Sequence, residues 1–289
     1  MRTNHGRPEA GRRARVLLIS VATAAMMVLT GLGLPTVASA AVGVPTAYLS
    51  SQTYASTAPP SADKPQSKLW FHQGSWWALM VGAGSTSVYV HELMPDHTWR
   101  NTGALVDSRV NNTGDALWSG MDNRLYVASR APGSPLQVNA LTYNGANRSW
   151  SVVQGFPVTV NSGGGSESAT IDQDSAGNLW VTYTRGARLW VAHSTGAART
   201  TWTSGFQPNV GDTVLKSDDI SAVITFGNSI GLMWSDQESG AFRFAVRAVD
   251  AADTAPWSVE DALAGTGLAD DHINLKQLVG DPQGGSTQL

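Results

Sequence analysis

Cysteine is absent from the 289-residue sequence. That excludes disulfide staples, thiolate metal sites and cysteine nucleophiles, and leaves packing alone to hold the fold. Charge is scarce: 14% of residues are charged and the net charge is −3, with no basic block in the body of the chain. Nucleic acid is therefore excluded as a partner. No phosphate-cradling loop or Asp-x-x-x-Asp metal loop occurs, which removes the nucleotide-binding class. His72 and His193 fall at different points of the pattern described below, so no multi-histidine metal site is expected. A helical period is missing between the repeats as well.

Tryptophan, by contrast, is abundant, with 11 residues. Four of them, Trp99, Trp150, Trp202 and Trp257, recur at intervals of 51, 52 and 55 residues, each at the end of a short β-like run. Ahead of each lie three further strand patterns in phase. For the second repeat these are Ala116-Leu117-Trp118, Leu125-Tyr126-Val127-Ala128 and Leu136-Gln137-Val138. Turn-forming residues separate them, among them Gln73-Gly74, Asp122-Asn123, Asp174-Ser175-Ala176-Gly177 and Gly227-Asn228; Asn, Asp and Gly tolerate the left-handed backbone of tight hairpins. Four strands per unit at a period near fifty define an all-β chain, a β-propeller with four recognisable blades.

The ends read differently. Residues 1–40 have the form of a signal peptide: Arg7, Arg12, Arg13 and Arg15, an apolar stretch from Val16 to Leu34, then Ala38-Ser39-Ala40 as a cleavage site. Residues 41–63 form a Ser/Thr/Pro-rich leader, and 64–289 the propeller. A fifth unit opens at Asp270-Asp271-His272-Ile273 and reaches a turn at Asp281-Pro282-Gln283-Gly284. An apolar strand is due next, but the polar Gly285-Ser286-Thr287-Gln288 follows. The expectation is an incomplete fifth blade, as in a truncated larger ring. Such a ring would leave Trp70, Trp77 and Leu275 exposed on its open flanks.

Asp115, Glu167, Asp219 and Asp271 stand 52 residues apart, each just before an inner strand. Residues in phase at the entry of the innermost strands converge on a propeller axis. Carboxylates there either coordinate a cation such as calcium or act as a general acid/base set. Asp115, Glu167, Asp219 and Asp271 are accordingly the expected metal ligands. Asp219, Asp271, Glu167 and His272 are the expected catalytic group; Gly163-Gly164-Gly165 before Glu167 would let backbone amides approach a ligand. Periodic acids also follow from periodic turns, since Asp caps turns well. Most tryptophans belong in the core. Trp70 and Trp118, near the inner rim, are the expected ligand contacts.

Asp174-Ser175-Ala176-Gly177-Asn178-Leu179-Trp180 resembles the turn of Asp-box (BNR-type) propellers, to which sialidases belong. The wider pattern, including Lys64-Pro65-Gln66-Ser67-Lys68-Leu69-Trp70-Phe71 and Ser217-Asp218-Asp219-Ile220-Ser221, resembles a group of secreted bacterial propeller proteins without an assigned activity. The resemblance implies the fold. It does not imply sialidase chemistry, because the Asp of the box is displaced by one place and the early Arg-Ile-Pro-type motif is missing. The expected function is a secreted, monomeric propeller that binds extracellular polysaccharide or glycoconjugate, with no membrane contact after signal cleavage. The alternatives are a glycoside hydrolase or polysaccharide lyase using the axial carboxylates, and a protein-interaction scaffold. An enzyme should cluster perturbed titratable groups in one cleft. A binder should expose aromatic faces among polar groups, and a scaffold should do neither.

Overall fold

The computed structural model describes residues 66–265, 267–269, 273 and 275. The expected signal peptide and leader, Asp271, His272 and the turn expected at 281–284 lie outside the described residues. Among those described, every regular element is a strand. The first sheet comprises β1 (Leu69–His72), β2 (Ser75–Val81), β3 (Val88–Leu93) and β4 (Trp99–Asp107). The second comprises β5 (Thr113–Ser119), β6 (Arg124–Arg130), β7 (Leu136–Asn144) and β8 (Ser149–Val152), with β9 (Val158–Asn161) also paired to β7. The third holds β10 (Ser166–Gln173), β11 (Leu179–Arg185), β12 (Leu189–Thr195) and β13 (Thr201–Trp202). The fourth holds β14 (Ser221–Phe226), β15 (Ser229–Asp236), β16 (Ala241–Ala248) and β17 (Ser258–Ala264). Each sheet is an antiparallel meander in chain order, the blade of a propeller.

Turn chemistry sets these meanders. Gln73, Gly74, Asn123, Gly177 and Gly227 all adopt positive φ, as hairpins that follow the strand twist require. The late tryptophans belong to the outermost strand of each blade: Trp99 opens β4, Trp150 and Trp202 lie in β8 and β13, and Trp257 immediately precedes β17. Trp99 is the first residue of that strand, Trp150 and Trp202 the second, and Trp257 stands one place before it.

Strand alternation then builds three inter-blade cores. Trp77, Leu79 and Val81 of β2 share one face with Val88 and Val90 of β3, and meet Ala116, Leu125, Val127 and Trp150 of the second blade. Tyr126, Val138 and Leu136 meet Ile171, Leu179 and Tyr183 of the third. Trp180, Leu189 and Val191 meet Ile230, Leu232 and Trp234 of the fourth. Each fully buried large side chain contributes about 1.5–3 kcal/mol, which is how a chain without disulfides holds four sheets together. Beyond the fourth blade, Ile273 and Leu275 pack on Ile220 and Ala222.

The same alternation corrects the expected flank. Trp70 and Trp77 are buried against the second blade. The exposed large side chains of β1 and β2 are Leu69, Phe71 and Trp76, because neighbours along a strand point to opposite faces.

Candidate functional site

The innermost strand of a blade is an edge strand, so its axis-facing amides have no ladder partner. Side chains of the preceding blade supply one. The Ile171 amide donates to Asp115 Oδ2 (2.9 Å), the Val223 amide to Thr170 Oγ1 (2.9 Å) and the Thr225 amide to Asp172 Oδ2 (2.6 Å). Asp115 Oδ1 accepts from the Ser67 amide, while the Ala116 amide donates to the Ser67 carbonyl (2.8 Å). Gln66 Nε2 reaches the Ala169 carbonyl at 2.8 Å, and Lys68 Nζ donates to the Gly114 carbonyl. The axis is thus stitched by side chain-to-backbone bonds around a cavity of about 210 Å³, lined by Asp115, Leu117, Thr170, Asp172, Ile224 and Leu275. Burial pushes the Asp172 carboxyl up to about 6, against the pull of the Thr225 and Gln173 amides; the neighbouring Asp115 charge adds to the rise.

Of the described acids in sequence phase, only Asp115 lines this cavity. Asp115 is in β5, with both oxygens held by backbone amides. Asp219 is buried before β14 and closes its own loop, accepting from the Lys216 amide (2.7 Å) and the Gln237 amide (3.3 Å); burial raises its pKa. Glu167 is half-buried on β10. Among the described residues no three acidic or histidine side chains gather as a cation site, so Asp115, Glu167 and Asp219, the described members of the expected calcium ring, do not come together as one. The physical reason is that Asp115 and Asp219 each answer a local demand of unpaired backbone amides. Asp271 and His272 lie outside the described residues. The glycine run is also structural. A Cβ on Gly164 would meet the Gly133 backbone carbonyl carbon at 2.6 Å, so glycine there permits two loops to touch.

Asp174 has a comparable local duty. Its carboxylate accepts from the Asn178 amide (2.8 Å) and from Trp180 Nε1 (2.8 Å), clamping the β10–β11 hairpin. The expected ligand tryptophans are likewise engaged in packing. Trp70 is buried edge-on to Trp150 (5.6 Å), and Trp118 is half-buried with His72 stacked on it at 3.9 Å. Inward strand parity puts both in the interface of the first two blades.

The open aromatic face lies elsewhere. Trp76 is 49% exposed, braced edge-to-face by Phe71 at 5.4 Å. It borders a groove of about 460 Å³ lined also by Gly74, Ser75, Glu92, Met94 and Arg148. Glu92 shares the core-facing side of its strand with Val88 and Val90 and is 1% exposed. Its charge is met by Arg100, opposite it on β4, and by Arg148 from the β7–β8 turn of the second blade. Ser75 Oγ donates to Glu92 Oε1 (3.1 Å) and accepts from Arg148 Nη2 (2.8 Å). Periodicity does not find this group because it occurs in one blade only. The available signal is an acid at a core-facing strand position, which cannot be left unpaired.

No family model matches the chain, and no curated protein matches it. Among solved structures it is similar to the GH43_1 enzyme from Xanthomonas citri complexed with xylotriose, at 12% identity over 71% of this chain and 76% of that one, TM-score 0.42. It is also similar to a mutant Aleuria aurantia lectin in complex with Fucα1-6GlcNAc, at 17% identity over 69% of this chain and 61% of the lectin, TM-score 0.45. A GH43 β-xylosidase/α-arabinofuranosidase from a compost microbial metagenome gives 8% identity over 71% and 79%, TM-score 0.41. At these identities no site residue is transferred from them.

Proposed function

We propose that the chain is an exported propeller that binds extracellular glycans without cleaving them, through the groove beside Trp76. One observation carries this reading: a solvent-exposed indole stands at the mouth of a groove whose polar groups are already fixed by the Ser75–Glu92–Arg148 bonds. A pyranose offers a face of C–H groups to such a ring and hydroxyls to the polar wall. The groove is within the roughly 300–1,000 Å³ typical of small-molecule sites. Export is supported by the basic, apolar and Ala-Ser-Ala segments of the first 40 residues.

A hydrolase reading would rest on Asp172, poised near pH 6 beside Asp115. The axial cavity serves it poorly. At about 210 Å³ it falls below that range, and backbone amides occupy its carboxylates.

The test is a panel of soluble polysaccharides, measured both for binding and for reducing-end release. Wild type is expected to bind at least one polysaccharide and release no reducing ends. Trp76→Ala is expected to weaken that binding by about tenfold or more, the loss of a stacking contact worth ~1.4 kcal/mol, with an unchanged melting temperature. Reducing-end release abolished by Asp172→Asn would replace this reading with the hydrolase.

A further inference from the structure

The groove has one cation more than its buried acid requires. Glu92 is a single carboxylate, and Arg100 engages its Oε2 from the neighbouring strand. Arg148 engages the other oxygen from a different blade. Of the two guanidiniums, Arg148 lines the groove with Trp76. Its side chain remains 49% exposed, and a guanidinium carries five N–H donors, so Nη2 contacts to Glu92 and Ser75 leave donors for a ligand.

The turn fixes where Arg148 emerges. Its φ is +52°, and His97 and Arg199 take the same left-handed backbone in the β3–β4 and β12–β13 turns, so the outer hairpin of the blade requires it. That turn places a cation at the groove beside an exposed indole.

Resting on the glycan-binding reading above, we propose that the ligand is an acidic glycan, a hexuronate-containing chain whose ring stacks on Trp76 and whose carboxylate pairs with Arg148. The guanidinium fork matches a planar carboxylate with two parallel hydrogen bonds, which distinguishes an arginine from a general positive charge. Glu92 holds the fork in place from beneath, and Arg100 keeps Glu92 compensated. A neutral sugar would stack on the same indole and leave the outward donors of the guanidinium without an anionic partner.

The test is titration calorimetry of the purified protein with tetragalacturonate and with its fully methyl-esterified form, which keeps the rings and removes the charge. Dextran sulfate serves as the sulfate arm. Wild type is expected to bind the acid about tenfold more tightly than the ester, with the difference shrinking as salt is raised. Arg148→Gln is expected to bring the ratio close to one, weakening binding of the acid far more than binding of the ester. Arg148→Gly, which removes the cation and suits the left-handed turn, should bring the ratio to one in the same way. Trp76→Ala should weaken acid and ester alike. Equal affinity of wild type for acid and ester would overturn the acidic-ligand proposal and leave the glycan-binding reading standing. Preference for dextran sulfate over tetragalacturonate would overturn the carboxylate assignment. No binding to any saccharide in the wider panel would overturn both readings.

Discussion

Asp115→Ala is expected to destabilise the protein by about 3–5 kcal/mol, because the buried amides that its carboxylate satisfies would each be left unpaired at about 1–3 kcal/mol. One oxygen ties the Ser67 amide ahead of the first blade and the other ties the Ile171 amide of the third, from a side chain rooted in the second. Three blades therefore meet at one carboxylate. For a domain of this size each kcal/mol moves the melting temperature by about 2–4 °C, so a fall of about 10 °C is expected in thermal unfolding. Asp115→Asn keeps one acceptor and should fall about half as far. A melting temperature within about 2 °C of wild type for the alanine variant would show that the axial stitch carries no weight.

Asp172 gives the second large effect, and its sign is opposite to that of most carboxylates. Its folded pKa is raised from 3.8 to about 6, so between these values the folded chain holds a proton that the unfolded chain releases. Stability is then greatest below about pH 4 as far as this group is concerned, and declines as pH rises through 6. The shift corresponds to about 2–3 kcal/mol. Asp236, whose pKa is lowered through its Ser239 and Arg243 partners against the pull of burial, works the other way, losing its contribution as pH falls. The difference between wild type and Asp172→Asn isolates the term. Denaturant unfolding at pH 4 and pH 7 should show wild type losing about 2–3 kcal/mol relative to the variant over that interval. Parallel profiles would mean that Asp172 is ionised without penalty.

These two carboxylates also show how far the sequence could be read. The blades were legible because strand parity, turn residues and the late tryptophans repeat together, and each signal has a direct backbone cause. Strand parity separates the core ring of Trp70 from the exposed ring of Trp76. The acids were legible as a period but not as a site. Asp115 and Asp219 recur because each strand entry presents unpaired amides, and that demand is met locally in different ways. Asp172, which lines the axial cavity with Asp115, is out of phase with that period and follows Ala169, Thr170 and Ile171 in β10. The Glu92–Arg148 pair joins residues of two blades. Nothing in the spacing of a repeat announces a contact that only one interface makes.

Hydrogen exchange with and without a bound oligosaccharide, read peptide by peptide, tests the central claim most directly. The claim is that this propeller engages its ligand at the outer groove and not on its axis. Binding at the groove predicts slowed exchange in the Gly74–Trp76 and Glu92–Pro95 segments and in the turn carrying Arg148. The inner strands β5, β10 and β14 should be unaffected. Protection of those inner strands around Asp115, Asp172 and Ile224, with the groove segments unchanged, would contradict it.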